Sequence, residues 1–283
     1  MNLPFNVDLS DKVAVITGAG GVLCSDFAKA IAACGAKVAL LDINYDAAKK
    51  YADEISAYGG CAIAVKANCL DKSSLEEAKA VIDKEFGSCD ILINGAGGNN
   101  PKATTANEYF DADALASPDV QDFFALSSDG FKFVFDLNVT AAFLTTQVFA
   151  LDMAKKCSGN IINISSMNAF RPLTKIPAYS AAKSAVSNFT QWLAVHFANT
   201  GIRVNAIAPG FFVSNQNKSL LFNEDGSPTP RTGKILAGTP MKRFGEASEL
   251  LGALLFFLCN EASSFVTGVV LPIDGGFSAY SGV

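Results

Sequence analysis

Residues 12–42 read KVAVITGAGGVLCSDFAKAIAACGAKVALLD. The stretch opens on an apolar run, Lys12 to Thr17, suited to a strand buried on both faces. It breaks at Gly18 and Gly20-Gly21, resumes as a helix from about Val22 to Cys34, and ends on a second apolar run, Lys37 to Asp42. Glycines at such a break let the backbone turn tightly and approach a ligand closely. The helix start beyond them offers free N–H groups and partial positive charge to an anion such as a pyrophosphate. Asp42 follows Gly18 by 24 residues, close to the spacing at which a strand-end carboxylate meets the ribose hydroxyls of a dinucleotide. That carboxylate would repel a 2′-phosphate, and neither Ile43 nor Asn44 supplies a cation for one. The expected cofactor is therefore NAD rather than NADP.

Outward from this unit the alternation continues. A polar helix runs through about Ala57, and a strand is expected at Cys61 to Ala67. A helix follows from a cap near Ser73 or Ser74 to Phe86, then a strand at Asp90 to Asn94. Further on come a helix near Phe131 to Ala154, a strand at Asn160 to Ser165, and a helix from about Ala178 to Asn199. Strands at Arg203 to Ile207 and near Val269 to Ile273 complete the set. Strands alternating with helices imply right-handed crossovers and a parallel sheet. The strands are nearly all apolar, as those covered on both faces should be. The expected fold class is α/β, a Rossmann-type doubly wound parallel sheet with helices on both faces. No repeat or linker divides the chain, so residues 1–283 read as one nucleotide-binding domain. Two segments, 97–130 and 211–242, exceed ordinary connection lengths and follow strand C-terminal ends, where open α/β sheets bind ligands. They are expected to wall a substrate site.

Composition narrows the partners. The 283 residues are 50% hydrophobic and 17% charged, which excludes a disordered chain. A net charge of −5 without a Lys/Arg cluster argues against nucleic acid or an anionic membrane surface. Apolar runs such as Leu250 to Cys259 are too short to span a bilayer. Met1 to Asp11 lacks a basic region and an apolar core, so no secretory signal is read and the cytoplasm is the expected location. The seven cysteines are scattered singly and His196 is the one histidine, so no metal site or disulfide framework is expected.

The chemistry is carried by the second half. Tyr179 and Lys183 lie four apart at a helix start and so share one face. An ammonium beside a phenol favours the phenolate and is expected to lower the tyrosine pKa, making it a proton-exchanging group for an alcohol or carbonyl oxygen. Ser166, thirteen residues upstream at a strand end, could hydrogen-bond the same oxygen.

The glycine turn after Thr17, Asn94-Gly95-Ala96-Gly97, Asn138, Ser166, Tyr179-x-x-x-Lys183 and Pro209-Gly210 occur together in an order and spacing that resembles the short-chain dehydrogenase/reductase family over essentially the whole chain. The resemblance implies an oxidoreductase acting on CH–OH groups with a catalytic set of Asn138, Ser166, Tyr179 and Lys183. Ser166 would polarise the substrate carbonyl and Tyr179 would exchange the proton. Lys183 would hold the nicotinamide ribose, and Asn138 a relay water. Cofactor contacts would come from Gly18, Gly20, Gly21, Val22, Leu23, Asp42, Asn68, Cys69, Asn94, Gly95, Ala96, Gly97, Tyr179, Lys183, Pro209 and Gly210. Asn68 stands where the family usually has Asp against the adenine. Val22 and Cys24 stand where it usually has glycines, and Cys24 could shift the helix and weaken cofactor affinity.

A finer resemblance lies in GGNNPKATT (97–105), MNAFRPLTKIPAYSAAK (167–183), PGFFVSNQN (209–217), TPMKRFGE (239–246) and the C-terminal SFVTGVVLPIDGGFSAYSGV (264–283). These look like the D-mannonate oxidoreductase, or fructuronate reductase, subgroup. The implied substrate is a keto sugar acid, bound by Asn99, Asn100, Ser166, Asn168, Arg171, Tyr179, Gln216 and Asn217. Among Arg171, Lys175, Arg231 and Arg243, one is expected to bind the substrate carboxylate. The rivals are a gluconate 5-dehydrogenase or another sugar-acid or polyol dehydrogenase and, from another class, a non-catalytic dinucleotide-binding protein. His196 and Trp192 read as packing or subunit contacts. The resemblance implies a homotetramer, for which the apolar Leu250 to Leu258 and Val266 to Ile273 segments could supply an interface.

Overall fold

The computed structural model describes residues 7–117, 119–213 and 221–282. Seven strands form one sheet in the order β3-β2-β1-β4-β5-β6-β7. They are β1 (Val13–Thr17), β2 (Lys37–Asp42), β3 (Cys61–Lys66), β4 (Ile91–Asn94), β5 (Gly159–Ile164), β6 (Ile202–Pro209) and β7 (Val270–Ile273). Every neighbouring pair is parallel. The chain winds outward to β3, then returns across β1 to β4, so the order reverses between these two central strands. Loops from both halves part there, at the C-terminal ends, and leave a crevice.

The alternation of β1 explains its burial. Ala14 and Ile16 face one side, against Phe27 and Ile31 of α1 (Val22–Ala33), while Val13 and Val15 face the other. The first side is completed by Leu254 and Phe257 of α8 (Leu251–Leu258). The second side is covered by three helices. Leu75 and Ile82 of α3 (Lys72–Glu85), Phe149 and Met153 of α5 (Ala141–Lys155) and Leu193 of α6 (Pro177–His196) pack there. Each fully buried Phe, Leu or Ile contributes about 1.5–3 kcal/mol by leaving water.

Several boundaries differ from the sequence expectation, each for a local reason. The cap of α3 is Asp71, whose carboxylate accepts from the Ser73 and Ser74 N–H groups, rather than either serine. The helix expected from Phe131 starts at Ser128 as α4 (Ser128–Phe135), because the Ser127 hydroxyl accepts from Gly130 N–H at 3.2 Å. It passes through a wide π-helical turn, Asp136–Thr140, into α5. That continuity makes Ser128–Lys155 a 28-residue helix long and apolar enough to cross a bilayer. Counting unbroken apolar runs missed it. Half of its apolar window is buried inside the fold, which accounts for the composition as a core helix. At the other end α6 stops at His196, and Gly201 with φ of 68° turns the chain into β6.

The two long segments are ordered pieces of the fold where described. Segment 97–130 holds short 3-10 turns at Pro101–Ala103 and Asp113–Ala116. Segment 211–242 holds α7 (Pro230–Gly238).

Candidate active site

The β1 turn forms the floor of a groove of about 510 Å³ lined by Gly18, Gly20, Gly21, Val22, Leu23, Asp42, Asn68, Cys69, Gly95, Ala96 and Gly97, among others. Gly18 sits at φ of +65°, and a Cβ there would lie 2.9 Å from the Ala96 backbone, so only glycine lets the β1 and β4 loops close on each other. A Cβ on Gly20 would meet the Asp42 carboxylate at 2.9 Å. That carboxylate accepts from Gly20 N–H at 2.9 Å and from Asn44 N–H at 2.9 Å, which holds it against the turn. Thr17 laces the two strand ends together, its hydroxyl accepting from Gly95 N–H at 3.1 Å and Ala96 N–H at 3.2 Å.

Asn94 faces inward. Its amide donates to Thr146 at 3.0 Å and to Asn163 at 2.8 Å, and its carbonyl oxygen accepts from Thr145 at 2.5 Å. The side chain expected at the groove thus braces β4 against α5 and β5, and the groove is lined by the glycines and Ala96 that follow. Cys24 is buried, with its thiol pushed up to about 12 by that burial. A Cβ on Gly95 would sit 2.2 Å from its sulfur. The bulk that Cys24 adds is therefore taken up by the missing side chain of Gly95, and α1 still packs on the sheet. Cys69 also lines the groove, and burial raises its thiol to about 11.

A second cleft of about 410 Å³ opens from the first, sharing Val22, Leu23 and Gly97 with it. Ser166 and Tyr179 line it, with Pro209, Gly210, Phe211 and Phe212 after β6 and Leu221, Arg231 and Ile235 beyond. Tyr179 stands at the start of α6, where Pro177 in the first turn presets the helix. Ser166 follows β5 in extended conformation and its hydroxyl accepts from Asn168 N–H at 3.2 Å.

Burial pushes the Tyr179 phenol above its ordinary value, and a hydrogen bond with Ser166 opposes this. The Lys183 ammonium lies 5.6 Å from the Tyr179 ring centre and donates to the Ile164 carbonyl at 2.8 Å. It is itself brought down to about 8, because burial disfavours its charge more than the nearby Cys24 sulfur favours it. The expectation that the ammonium would depress the phenol is thus reversed in this structure. Sequence spacing shows that two groups are neighbours but not that both are desolvated, and desolvation wins.

Asn138 sits in the π-helical turn, 2% exposed, its amide donating to the Gly98 carbonyl at 2.8 Å and the Val134 carbonyl at 2.7 Å. Its oxygen accepts from Gly98 N–H at 3.3 Å, leaving one lone pair. A Cβ on Gly97 would fall 2.6 Å from that oxygen and 3.1 Å from Lys183 Nζ, so Asn138, Gly97 and Lys183 meet at one point.

The amides expected to bind substrate are less gathered. Asn99 is exposed and donates to Thr104 at 3.0 Å, while Asn100 caps the Pro101 turn. Asn168 is 3% exposed, with its carbonyl oxygen unpartnered. Arg171 donates to the Ser278 carbonyl at 3.1 Å. None of these four lines the cleft. Gln216 and Asn217 lie outside the described residues. The apolar wall of Phe211, Phe212, Leu221 and Ile235 was not anticipated; its members are spread over a segment with no single periodicity. No cluster of three or more potential metal ligands occurs among the described residues.

Residues 12–225 match the short chain dehydrogenase family profile. An uncharacterized Bacillus subtilis oxidoreductase, UxuB, is 52% identical over 99% of this chain and 100% of its own. A Haemophilus influenzae crystal structure, provisionally named a D-mannonate oxidoreductase and holding NAD, is 60% identical with a TM-score of 0.94 over 100% of both chains. A Burkholderia cenocepacia gluconate 5-dehydrogenase in complex with NADP and tartrate is 27% identical, with a TM-score of 0.81 over 97% of this chain and 98% of that one. The glycine-floored groove, the serine, tyrosine and lysine at its end, and these likenesses agree: the chain belongs to the short-chain dehydrogenase family.

Proposed function

We propose that the protein is an NAD-dependent oxidoreductase that interconverts a keto sugar acid and its hydroxy acid, with D-fructuronate and D-mannonate as the pair. The observation that carries the reading is the convergence of Ser166, Tyr179 and Lys183 near Gly97, a residue that both clefts share. The residues present suit a dinucleotide. The glycine turn leaves room against the backbone that a Cβ would fill, and Asp42 sits beside it to accept from ribose hydroxyls and repel a 2′-phosphate. Gly18, Gly20, Gly21, Val22, Leu23, Asp42, Asn68, Cys69 and Gly95 to Gly97 would hold it, with Lys183 on its second ribose and Pro209-Gly210 flanking the far end. NADH, when bound, supplies the electron pair that reduces the carbonyl carbon.

The chain's own groups handle the oxygen. The Ser166 hydroxyl donates a hydrogen bond to the substrate carbonyl and orients it. The Tyr179 phenol, kept protonated by burial, donates its proton as negative charge develops on that oxygen. Lys183 stabilises the phenolate left behind, and Asn138 offers its remaining lone pair to a water that returns the proton from solvent. Similarity to the Haemophilus influenzae protein supports mannonate; similarity to the Burkholderia cenocepacia enzyme keeps 5-ketogluconate as the second reading.

NADH consumption by the purified protein with D-fructuronate decides the matter, run beside NADPH, 5-ketogluconate and Tyr179→Phe. Turnover with NADH and D-fructuronate, reduced at least about a thousandfold in the variant, is the expected result. Binding of NADH without turnover of any ketone would instead favour a non-catalytic dinucleotide-binding protein.

A further inference from the structure

Arg231 is the only charged side chain among the described residues that line the Ser166–Tyr179 cleft. It makes no ion pair among the described residues. The other basic groups of this region are engaged. Arg243 grips the Glu249 carboxylate with both terminal nitrogens, at 2.7 and 2.6 Å. Lys234 holds both oxygens of Glu108, at 2.8 and 2.9 Å, and Arg171 bonds the Ser278 carbonyl. Lys175 does not line the cleft.

The position of Arg231 is set by α7. Thr232, fully buried, donates its hydroxyl to the Leu221 carbonyl, and Ile235 one turn on lines the cleft beside Arg231. Thr232 and Ile235 are the buried residues of α7, and the exposed Arg231, four before Ile235, stands beside it at the cleft while Lys234 reaches Glu108. The first turn of α7 contains no acidic residue and holds this cation at the positive end of the helix. Its charge therefore favours an anion in the cleft. The neighbouring wall of Phe211, Phe212, Leu221 and Ile235 is apolar, which strengthens any charge pair formed against it.

From these placements we propose that Arg231 binds the substrate carboxylate and makes the cleft selective for anionic ketones. The inference rests on the keto-sugar-acid reading and names the residue that enforces it. A guanidinium matches a carboxylate with two parallel N–H donors, several bonds away from the carbonyl held by Ser166 and Tyr179.

The test compares D-fructuronate with its uncharged methyl ester in the wild type, Arg231→Gln and Arg231→Lys, melting temperature serving as the fold control. The wild type should prefer the acid by about 10- to 100-fold in kcat/KM, the range of a charge-assisted hydrogen-bond pair. Arg231→Gln should lose that preference, mainly through a raised KM for the acid, and Arg231→Lys should recover part of it. A wild-type preference retained in Arg231→Gln overturns the proposal. If the wild type reduces 5-ketogluconate but not D-fructuronate, the substrate assignment fails and Arg231 is judged on 5-ketogluconate and its ester. If it reduces only neutral ketones, both ideas fall.

Discussion

Lys183 is a buried cation whose visible partner is a backbone carbonyl, that of Ile164, rather than a carboxylate. Its pKa falls from a lysine's ordinary 10.5 to about 8, so the folded state is penalised for carrying the charge. The penalty is full below pH 8 and is relieved as pH rises towards the unfolded value, so this group adds stability as pH climbs through that window. The shift is worth about 3 kcal/mol, against about 1–3 kcal/mol for leaving the Ile164 carbonyl unpartnered. Lys183→Met should thus abolish turnover while raising the melting temperature of the nucleotide-free protein by a few degrees near neutrality, a gain that shrinks under alkaline conditions. A variant that melts lower at every pH would show that the lysine stabilises the fold. Tyr179 follows the same logic with opposite consequences for direction. Because burial holds it as the phenol, ketone reduction should stay level around neutral pH, whereas alcohol oxidation should rise steadily into the alkaline range. Oxidation that plateaus below neutrality would contradict a raised phenol. Proximity of these two residues was legible from their spacing; their desolvation depends on what the other half of the chain lays over them, which no local pattern encodes.

Among the described residues one ion pair, Lys234 with Glu108, ties α7 to the segment after β4, of which Gly97 alone lines the substrate cleft. Lys234 is 67% exposed, so the tie adds little to global stability. Glu108 is held below its usual carboxylate range first by Lys234, with Lys175 and Arg231 adding to the effect. Removing Lys234 would leave Glu108 facing the two remaining cations, free to draw Arg231 away from the cleft. Lys234→Ala should therefore raise KM for the keto sugar acid about tenfold with little change in melting temperature, and adding Glu108→Gln should restore most of the affinity. Steady-state kinetics on the single and double variants separate this from simple loosening of α7, which the second substitution would not repair. The strands around the cleft were readable because doubly covered strands are apolar throughout, and Lys37–Asp42 was read to the residue. The long connections were not. Their backbone is held by side chains such as Gln121, which donates to the Pro101 and Thr104 carbonyls at 2.8 and 2.5 Å. Such bonds have no period, so a reading based on periodicity finds the segment and leaves its interior blank. Asp71 and Ser127, in contrast, are ordinary cap residues that the pattern could have yielded.

At the scale of the whole molecule, the apolar Leu250 to Leu258 segment, expected to face a subunit, directs Leu250, Leu254, Phe257 and Leu258 into the chain's own core against α1. Leu251, Leu255 and Phe256 of the same segment stay half-buried, and the more exposed large apolar side chains lie on other elements. On α5, Phe143 and Leu151 are 43% and 55% exposed, and on α6 Trp192 and Val195 are 57% and 79% exposed. Phe189, Trp192 and His196 form a continuous stack along α6, with ring centres 6.4 and 4.7 Å apart. Scattered exposed apolar residues are ordinary, whereas a row on two adjacent helices marks a contact surface. A closed symmetric assembly uses such a face twice, the same patch on both subunits, and a tetramer needs a second, different face as well. Phe265, fully exposed just before β7, lies near the far edge of the sheet and suits that second contact. We therefore expect light scattering to give a mass of about four chains, and Trp192→Lys to halve it while the Phe265 contact persists. Because α6 also begins with Tyr179, the same substitution should lower both the melting temperature and kcat, through a helix no longer clamped at its far end. A wild-type protein that runs as a monomer, or a Trp192→Lys variant of unchanged mass, would remove the α5–α6 face from the assembly.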